Sequence, residues 1–154
     1  ILQGHPLLRL ENAVCTPHIG LVEQDSYEQL FSSAFENLLK FSPYVSDAVI
    51  IGEGRNYLTA LVMIDQDTVS KYAQDRQVPF TDFASLTRTE AVRELIRSTV
   101  EGVNGKLARV EQIKDFRIIE QLLTTDDEEL TPTMKLKRKL VQQKYAPQIE
   151  AMYR

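Results

Sequence analysis

The clearest periodic pattern lies in the first quarter of the chain, where apolar residues recur every three or four positions. These positions are Tyr27, Leu30, Phe31, Ala34, Phe35 and Leu38. Such spacing places the side chains on one face of a helix. Asp25 with Glu28 has the form of a capping box, and Pro43 disfavours helix in the residue before it. The pattern therefore predicts an amphipathic helix over residues 25–41, preceded by a possible short strand at 12–16.

Two continuous apolar runs follow Pro43. They are Asp47–Glu53 and Tyr57–Asp65, and the turn-like segment Gly54-Arg55-Asn56 lies between them. Two strand-like runs joined by a short glycine-containing turn predict a β-hairpin. Because neither run alternates between apolar and polar residues, we expect both faces of these strands to be covered.

The rest of the chain mixes helices with one more strand. The predicted elements are a helix at about 67–75, a helical turn at 81–86, a helix over 88–107 with a capping box at Thr87 and Glu90, a strand at 116–119, an acidic loop over 124–132, and a helix over 138–153 interrupted at Pro147. The predicted fold class is α+β, with a small, mainly antiparallel sheet (the hairpin plus one strand) covered by helices and an N-terminal amphipathic helix appended. We expect the stable core to lie within residues 44–154.

Composition narrows the functional classes. The 154 residues are 43% hydrophobic and carry a net charge of −4, which argues against a dedicated nucleic-acid partner. The single cysteine, Cys15, cannot form an internal disulfide and favours a reducing compartment, most simply the cytoplasm. The longest apolar run, residues 60–64, is too short for an integral membrane segment. No signal peptide is evident, and the opening residue Ile1 suggests a fragment or a processed piece.

Two residues are candidates for chemistry. Lys135 lies in a Thr-Pro-Thr loop between an acidic stretch and a basic cluster, where a lysine could bind phosphate or carboxylate oxygens as a point charge. The alternative is a solvated helix face. His18 could act as an acid or base near neutral pH, or could be a loop histidine without a special partner. Gly52-Glu53-Gly54 is half of a dinucleotide fingerprint and fits a hairpin turn better. With one cysteine and two histidines, no metal site is expected.

Residues 5–39, HPLLRLENAVCTPHIGLVEQDSYEQLFSSAFENLL, resemble the C-terminal tail of the D-isomer-specific 2-hydroxyacid dehydrogenases. In that family the histidine of the TPHIG-like segment is the acid/base of hydride transfer, so the resemblance implies this role for His18. The arginine and glutamate that assist it, and the NAD-binding domain, would come from earlier sequence. We therefore expect His18 to be inert in this chain.

Residues from about 36 to 154 resemble the C-terminal lid subdomain of the AMP-forming long-chain fatty-acid–CoA ligases. The resemblance is carried by ENLLKFSPYVSDAVIIGEGRNYLTALVMID, VNGKLARVEQIKDFRII and ELTPTMKLKRK. It implies a mobile lid that closes over a larger domain binding ATP and the fatty acid. It also implies that Lys135, in the position of the family's P-T-x-K lysine, contacts the forming acyl-adenylate. Met134 stands where many relatives have glycine. ATP, Mg and CoA are implied for the parent ligase, and no cofactor is expected for this chain alone.

The two resemblances meet at residues 36–39, which suggests a fusion or a fragment. They divide the chain into a dehydrogenase-tail-like loop and helix, residues 1–41, and a lid-like domain, residues 42–154. The main hypothesis is the lid of an ATP-dependent long-chain fatty-acid–CoA ligase, inactive alone and partnered by an adenylation domain. The parent enzyme would be cytoplasmic, or peripheral at a membrane through its lipid substrate. The alternatives are a non-catalytic interaction module, whose helix pairs with a partner or with itself, and a remnant of an NAD-dependent 2-hydroxyacid dehydrogenase.

Overall fold

The computed structural model describes residues 33–124, 126–133 and 135–154. Three strands and six helices are seen there. In chain order they are helix α1 (residues 33–40), β1 (Val45–Ile51), β2 (Leu58–Ile64), α2 (Gln66–Asp75), α3 (Phe83–Arg88), α4 (Glu90–Asn104), β3 (Ile113–Ile118), α5 (Arg138–Lys144) and α6 (Ala146–Ala151), with a short 3-10 turn at Arg109–Glu111. The predicted α+β class, with helices around a small sheet, is confirmed. None of the described helices is long and apolar enough to cross a lipid bilayer.

The sheet has the strand order β1-β2-β3. β1 and β2 pair antiparallel and form the predicted hairpin. Its turn is closed by the Arg55 N–H, which donates to Gly52 O at 3.0 Å, and Gly54 has a φ of +65°, a conformation that favours glycine. β3 pairs parallel to β2, so the sheet is mixed. A parallel pair needs a long crossover connection, which α2, α3 and α4 supply.

The first face of the sheet is covered by α1, α2, α3 and α4. Leu39 of α1, Val69 of α2 and Ile96 of α4 are fully buried there, in one cluster with Ala48 and Ile50 of β1. The expectation that the core lies within residues 44–154 is therefore wrong at its N-terminal limit. Apolar residues of α1 belong to the same core, because this helix lies directly on the sheet.

The opposite face of the sheet is covered by the C-terminal part of the chain. Val141 of α5 and Ile149 of α6 pack there with Val49 of β1 and Leu61 of β2. Both faces of the hairpin strands are thus buried, as their continuous apolar sequences predicted. The predicted C-terminal helix is interrupted as expected, and α6 restarts with Pro147 in its first turn, where the missing N–H has no helical partner to lose.

The predicted capping box at Thr87 and Glu90 is wrong. Thr87 belongs to α3, where its hydroxyl donates to Ala84 O at 2.8 Å. The N-cap of α4 is Thr89, whose hydroxyl oxygen accepts the Val92 N–H at 3.4 Å. Thr89 has the extended backbone that an N-cap requires, whereas Thr87 is helical. The third strand also begins earlier than predicted, at Ile113.

Candidate functional site

Lys135 lies in the loop before α5, three residues ahead of the helix. The loop is closed on itself: the Thr131 N–H donates to Lys135 O at 2.8 Å, and the Lys135 N–H donates to Thr131 Oγ1 at 3.0 Å. Leu130 and Leu136 add an isolated antiparallel bridge. The Lys135 side chain is exposed, and its Nζ forms no ion pair with any described residue. A structured loop therefore presents a free ammonium group.

Lys135 borders a polar cleft of about 310 Å³ between α1, the start of β1 and the segment that leads into α5. Two further cations and two carboxylates line the cleft. Lys40 Nζ lies 3.1 Å from Asp47 Oδ1, and Arg138 Nη2 lies 2.6 Å from Glu36 Oε1. Each carboxylate is matched by one cation, so these five charged groups sum to +1. Within the described residues, Lys135 is the unpaired charge of this cleft.

Asp47 joins three segments around the cleft. Asp47 is only 6% exposed. Oδ1 accepts the Ala48 N–H at 2.9 Å in addition to the ion pair with Lys40, and Oδ2 accepts the Leu136 N–H at 2.8 Å. A buried carboxylate must find such partners, because an unpaired buried charge is costly. The same carboxylate thus connects α1, β1 and the residue that follows Lys135.

An irregularity in β1 explains why Asp47 faces the loop of Lys135. Val45 and Asp47 lie opposite consecutive residues of β2, so Ser46 is an extra residue in β1. Val45 packs on the first face of the sheet, whereas Val49 packs on the opposite face. Because side chains alternate along a strand, Asp47 shares the face of Val49, where the C-terminal segment lies. β-Bulges often redirect a side chain in this way next to functional sites.

Glu36 of α1 fixes the start of α5. Its Oε1 accepts the Ile50 N–H at 2.9 Å and a hydrogen bond from Arg138 Nη2 at 2.6 Å, while Arg138 Nη1 donates to Ile50 O at 3.2 Å. Burial raises the pKa of Glu36 above its usual value, and the hydrogen bond from Ile50 and the charge of Arg138 act in the opposite direction. The end of the lysine loop is thereby held against β1.

Glu129 holds the other end of the same loop. Its backbone carbonyl accepts the Lys137 N–H at 2.7 Å, and its carboxylate pairs with Lys144 Nζ of α5 at 2.5 Å. The hydrogen bond from Lys144 lowers the pKa of Glu129, and the same bond raises the pKa of Lys144. The part of the loop that precedes Lys135 is therefore also anchored to α5, through Glu129.

The polar groups of this site favour one class of ligand. An unpaired ammonium beside a polar cleft suits an anionic ligand such as a phosphate or a carboxylate. The described residues include no group of three or more histidine, cysteine, aspartate or glutamate side chains that could hold a metal ion.

Of the two predicted site residues, the structure describes only Lys135. His18 lies outside the described residues, and its role by resemblance stays a prediction. Sequence analysis missed Glu36, Asp47 and Arg138. One signal was available: Asp47 directly precedes the apolar run 48–51 of β1, and a carboxylate next to a buried run requires a specific partner once the strand is packed.

The comparison with known families decides the origin of the domain. Residues 26–154 match the family described as AMP-binding enzyme C-terminal domain. The chain belongs to this family. The match includes α1 and begins inside the segment 1–41, which was compared above with the dehydrogenases. The boundary at residues 41 and 42 stays a prediction.

Similar proteins of this family are much longer than the chain. The Mycobacterium tuberculosis protein named "Putative fatty-acid–CoA ligase fadD11" is 40% identical over 116 residues, which are 75% of this chain and 20% of that protein. Long-chain-fatty-acid–CoA ligase FadD15 of M. tuberculosis is 33% identical over 122 residues, 79% of this chain and 20% of that ligase. The A-PCP didomain of carboxylic acid reductase from Segniliparus rugosus shares the fold, with a TM-score of 0.59, 24% identity, and coverage of 79% of this chain and 16% of that one. The chain spans about a fifth of the length of the ligases it matches.

Proposed function

We propose that this AMP-binding enzyme C-terminal domain is the lid of an ATP-dependent long-chain fatty-acid–CoA ligase, and that Lys135 acts in adenylation of the fatty acid. The observation that carries the proposal is the free ammonium of Lys135, presented by an anchored loop at the edge of a cleft whose other charges are paired. The ligase names of the similar proteins support the reaction class. The partner domain in this proposal is the larger adenylation domain of the same enzyme.

In the proposed first step, the fatty-acid carboxylate attacks the α-phosphorus of ATP. The bond between the α-phosphate and the β-phosphate breaks, pyrophosphate leaves, and an acyl-adenylate forms. Negative charge develops on the oxygens around the reacting phosphorus, and Lys135 would meet it as a compact point charge. Groups oriented in advance toward such charge in a water-excluded site contribute roughly 3 kcal/mol, about 100-fold in rate. In the second step, the thiol of CoA displaces AMP and forms the thioester.

This role agrees with the surroundings of Lys135. The lysine needs to be exposed, because its target lies in another domain. Its loop needs to be ordered, because a charge that must first be oriented loses part of its effect. The internal hydrogen bonds with Thr131 and the contacts of Asp47 and Glu129 meet the second requirement. ATP, Mg²⁺ and CoA are ligands of the whole enzyme in this proposal, and the adenylation domain would bind the ATP and the fatty acid.

The test is a hybrid ligase in which this chain replaces the matching fifth of FadD15. Adenylation is measured as palmitate-dependent exchange between ATP and pyrophosphate, and the second step as thioester formation from supplied palmitoyl-adenylate. We expect the hybrid to adenylate palmitate and Lys135→Ala to lower that rate about 100-fold. Lys135→Arg should also fail, since the wider planar guanidinium cannot occupy the same position.

The matched control is Lys139→Ala, which removes another exposed lysine from the same basic cluster. It should change adenylation little. The free energy of unfolding of both alanine variants should lie within about 0.5 kcal/mol of that of the unsubstituted chain, as is usual for surface positions. Equal adenylation by the Lys135→Ala hybrid and the unsubstituted hybrid would overturn the role of Lys135. A folded hybrid without adenylation, next to active FadD15, would count against the ligase assignment itself.

The alternative of an interaction module based on the N-terminal helix gains no support. Phe35 and Leu39, on the described part of that helix, are buried in the core of the same chain. These side chains are not available to a partner while the domain is folded. For the parent enzyme we propose the cytoplasm, on the basis of the single cysteine, with contact to membranes through its lipid substrate.

A further inference from the structure

We propose that Asp47 is a positioning residue for Lys135. Its buried carboxylate fixes the peptide N–H directly after the lysine and thereby the backbone from which the lysine side chain projects. The proposal rests on the adenylation role of Lys135 proposed above. It adds a residue from β1, at the start of the sheet, to a site that the sequence places only in the loop before α5.

The peptide group between Lys135 and Leu136 is held from both sides. Its C=O accepts the Thr131 N–H at 2.8 Å, and its N–H donates to Asp47 Oδ2 at 2.8 Å. A peptide group is planar, so two hydrogen bonds in opposite directions fix its orientation about the chain. The Cα of Lys135 belongs to that plane, and its side chain starts from there. The nitrogen that donates to Asp47 is therefore two covalent bonds from the Cα of Lys135.

The orientation of Asp47 is itself determined by its neighbours. Oδ1 is occupied by the Ala48 N–H and by Lys40 Nζ, so the carboxylate cannot rotate without losing both contacts. Asp47 is 6% exposed and belongs to a strand that pairs with β2 at every residue except Ser46. Functional groups are held most accurately by side chains locked on rigid elements. Asp47 thus transfers the rigidity of the sheet to the loop of Lys135.

The first arm of the test is amide hydrogen exchange in the full 154-residue chain, and it does not depend on the function. Asp47→Ala should speed exchange of the Leu136 amide at least tenfold while a β2 amide such as that of Val62 keeps its protection. Asp47→Asn, which retains one acceptor oxygen, should have a smaller effect. The matched control is Asp127→Ala, which removes another carboxylate that accepts a backbone N–H, that of Thr124 at 2.7 Å, outside the Lys135 loop. Asp127→Ala should leave the exchange rate of the Leu136 amide unchanged.

The second arm uses the FadD15 hybrid. Asp47→Ala should lower the kcat of adenylation about 10- to 100-fold, the loss expected for a misplaced catalytic group. The KM for ATP and the rate of thioester formation from palmitoyl-adenylate should stay within about threefold, and Asp47→Asn should recover part of the adenylation rate. A residue needed only for stability would lower both steps together, in proportion to the loss of folded protein.

Each result decides between the two proposals. An unchanged Leu136 amide, or an equal loss in both steps, overturns the positioning role of Asp47. If Lys135→Ala abolishes adenylation while Asp47→Ala does not, the positioning role alone is overturned. If Asp47→Ala speeds exchange of the Leu136 amide but neither variant changes adenylation, the proposed function of Lys135 is overturned. The positioning role, which rests on it, is then overturned as well.

Discussion

Helix α1 provides a direct test of where the cooperative domain begins. Leu39 is 0% exposed in the cluster on the first face of the sheet, whereas Phe41, two residues further on, is 83% exposed. Leu39→Ala removes the isopropyl group of the side chain and leaves every polar group in place. If α1 belongs to the domain, this substitution must destabilise the whole domain.

The expected loss follows from the burial of Leu39. Transfer of a buried methylene-sized group contributes about 0.8 kcal/mol, so loss of roughly three such groups costs about 2.4 kcal/mol. The cavity left behind adds to this, because the surrounding side chains of the sheet and of α2 and α4 relax only in part. We expect a total of about 3 to 4 kcal/mol, inside the usual range of about 2 to 5 kcal/mol for such substitutions. Native domains have only about 5 to 15 kcal/mol of stability.

The assay is urea unfolding followed by far-ultraviolet circular dichroism, since the chain has no tryptophan. With a slope of about 2 kcal/mol per molar urea, a loss of 3 to 4 kcal/mol moves the midpoint by about 1.5 to 2 M. Phe41→Ala is the control and should stay within about 0.5 kcal/mol. A loss below about 1 kcal/mol for Leu39→Ala, or one equal to that of Phe41→Ala, would refute the conclusion that α1 is part of the core and would favour a boundary at residues 41 and 42.

Two further predictions concern polar contacts. The hydrogen bond from Lys144 lowers the pKa of Glu129 in the folded chain. The pair therefore adds its full contribution to the free energy of unfolding above the unfolded-state pKa of about 4.3. This contribution is lost as the pH falls through the lower folded-state pKa. Glu129→Gln should thus lower the free energy of unfolding by about 0.5 kcal/mol near neutral pH, since Lys144 is partly exposed, and by almost nothing in strong acid. Urea titrations that show the same loss at every pH in this range would contradict the stabilising role of the Glu129–Lys144 pair. The Asn104 side chain donates to Ile113 O at 2.9 Å and accepts the Ile113 N–H at 2.8 Å. Asn104→Ala should therefore lower the free energy of unfolding by about 1 to 3 kcal/mol. An unchanged urea midpoint would show that these bonds do not hold the start of β3.

Local sequence patterns were sufficient for most elements, because the backbone hydrogen-bond partners within a helix or a hairpin lie close together in the chain. The continuous apolar sequences of β1 and β2 correctly predicted burial on both faces. The start of β3 was missed because Lys114 and Asp115 interrupt its apolar run. β3 has β2 as its only neighbour in the described sheet and is only partly buried beyond Ile113, so polar side chains are tolerated there. Its parallel direction depends on the crossover through α2, α3 and α4, which no short pattern encodes.

The candidate site shows the same limit more strongly. Lys135 could be found from its loop and from the resemblance to the ligases, since both are local features. The groups that anchor the loop could not. Asp47 contacts Leu136 across 89 residues of sequence, and Glu36 contacts Arg138 across 102. A charged residue next to a buried apolar run indicates that a partner exists, but only the fold shows which segment supplies it.

The arrangement around Asp47 joins two requirements in one hydrogen-bonded group. A carboxylate on a strand buried on both faces must be paired, and the extra residue Ser46 turns it toward the loop of Lys135 rather than toward the cluster on the first face. With an apolar residue at this position, Lys40 would lose its partner and the cleft would contain two free ammonium groups. An anion approaching the lid could then be bound by either one. The pairing of Lys40 with Asp47 therefore leaves a single free charge in the described cleft, and the bond from Leu136 to the same carboxylate fixes the backbone from which that charge projects.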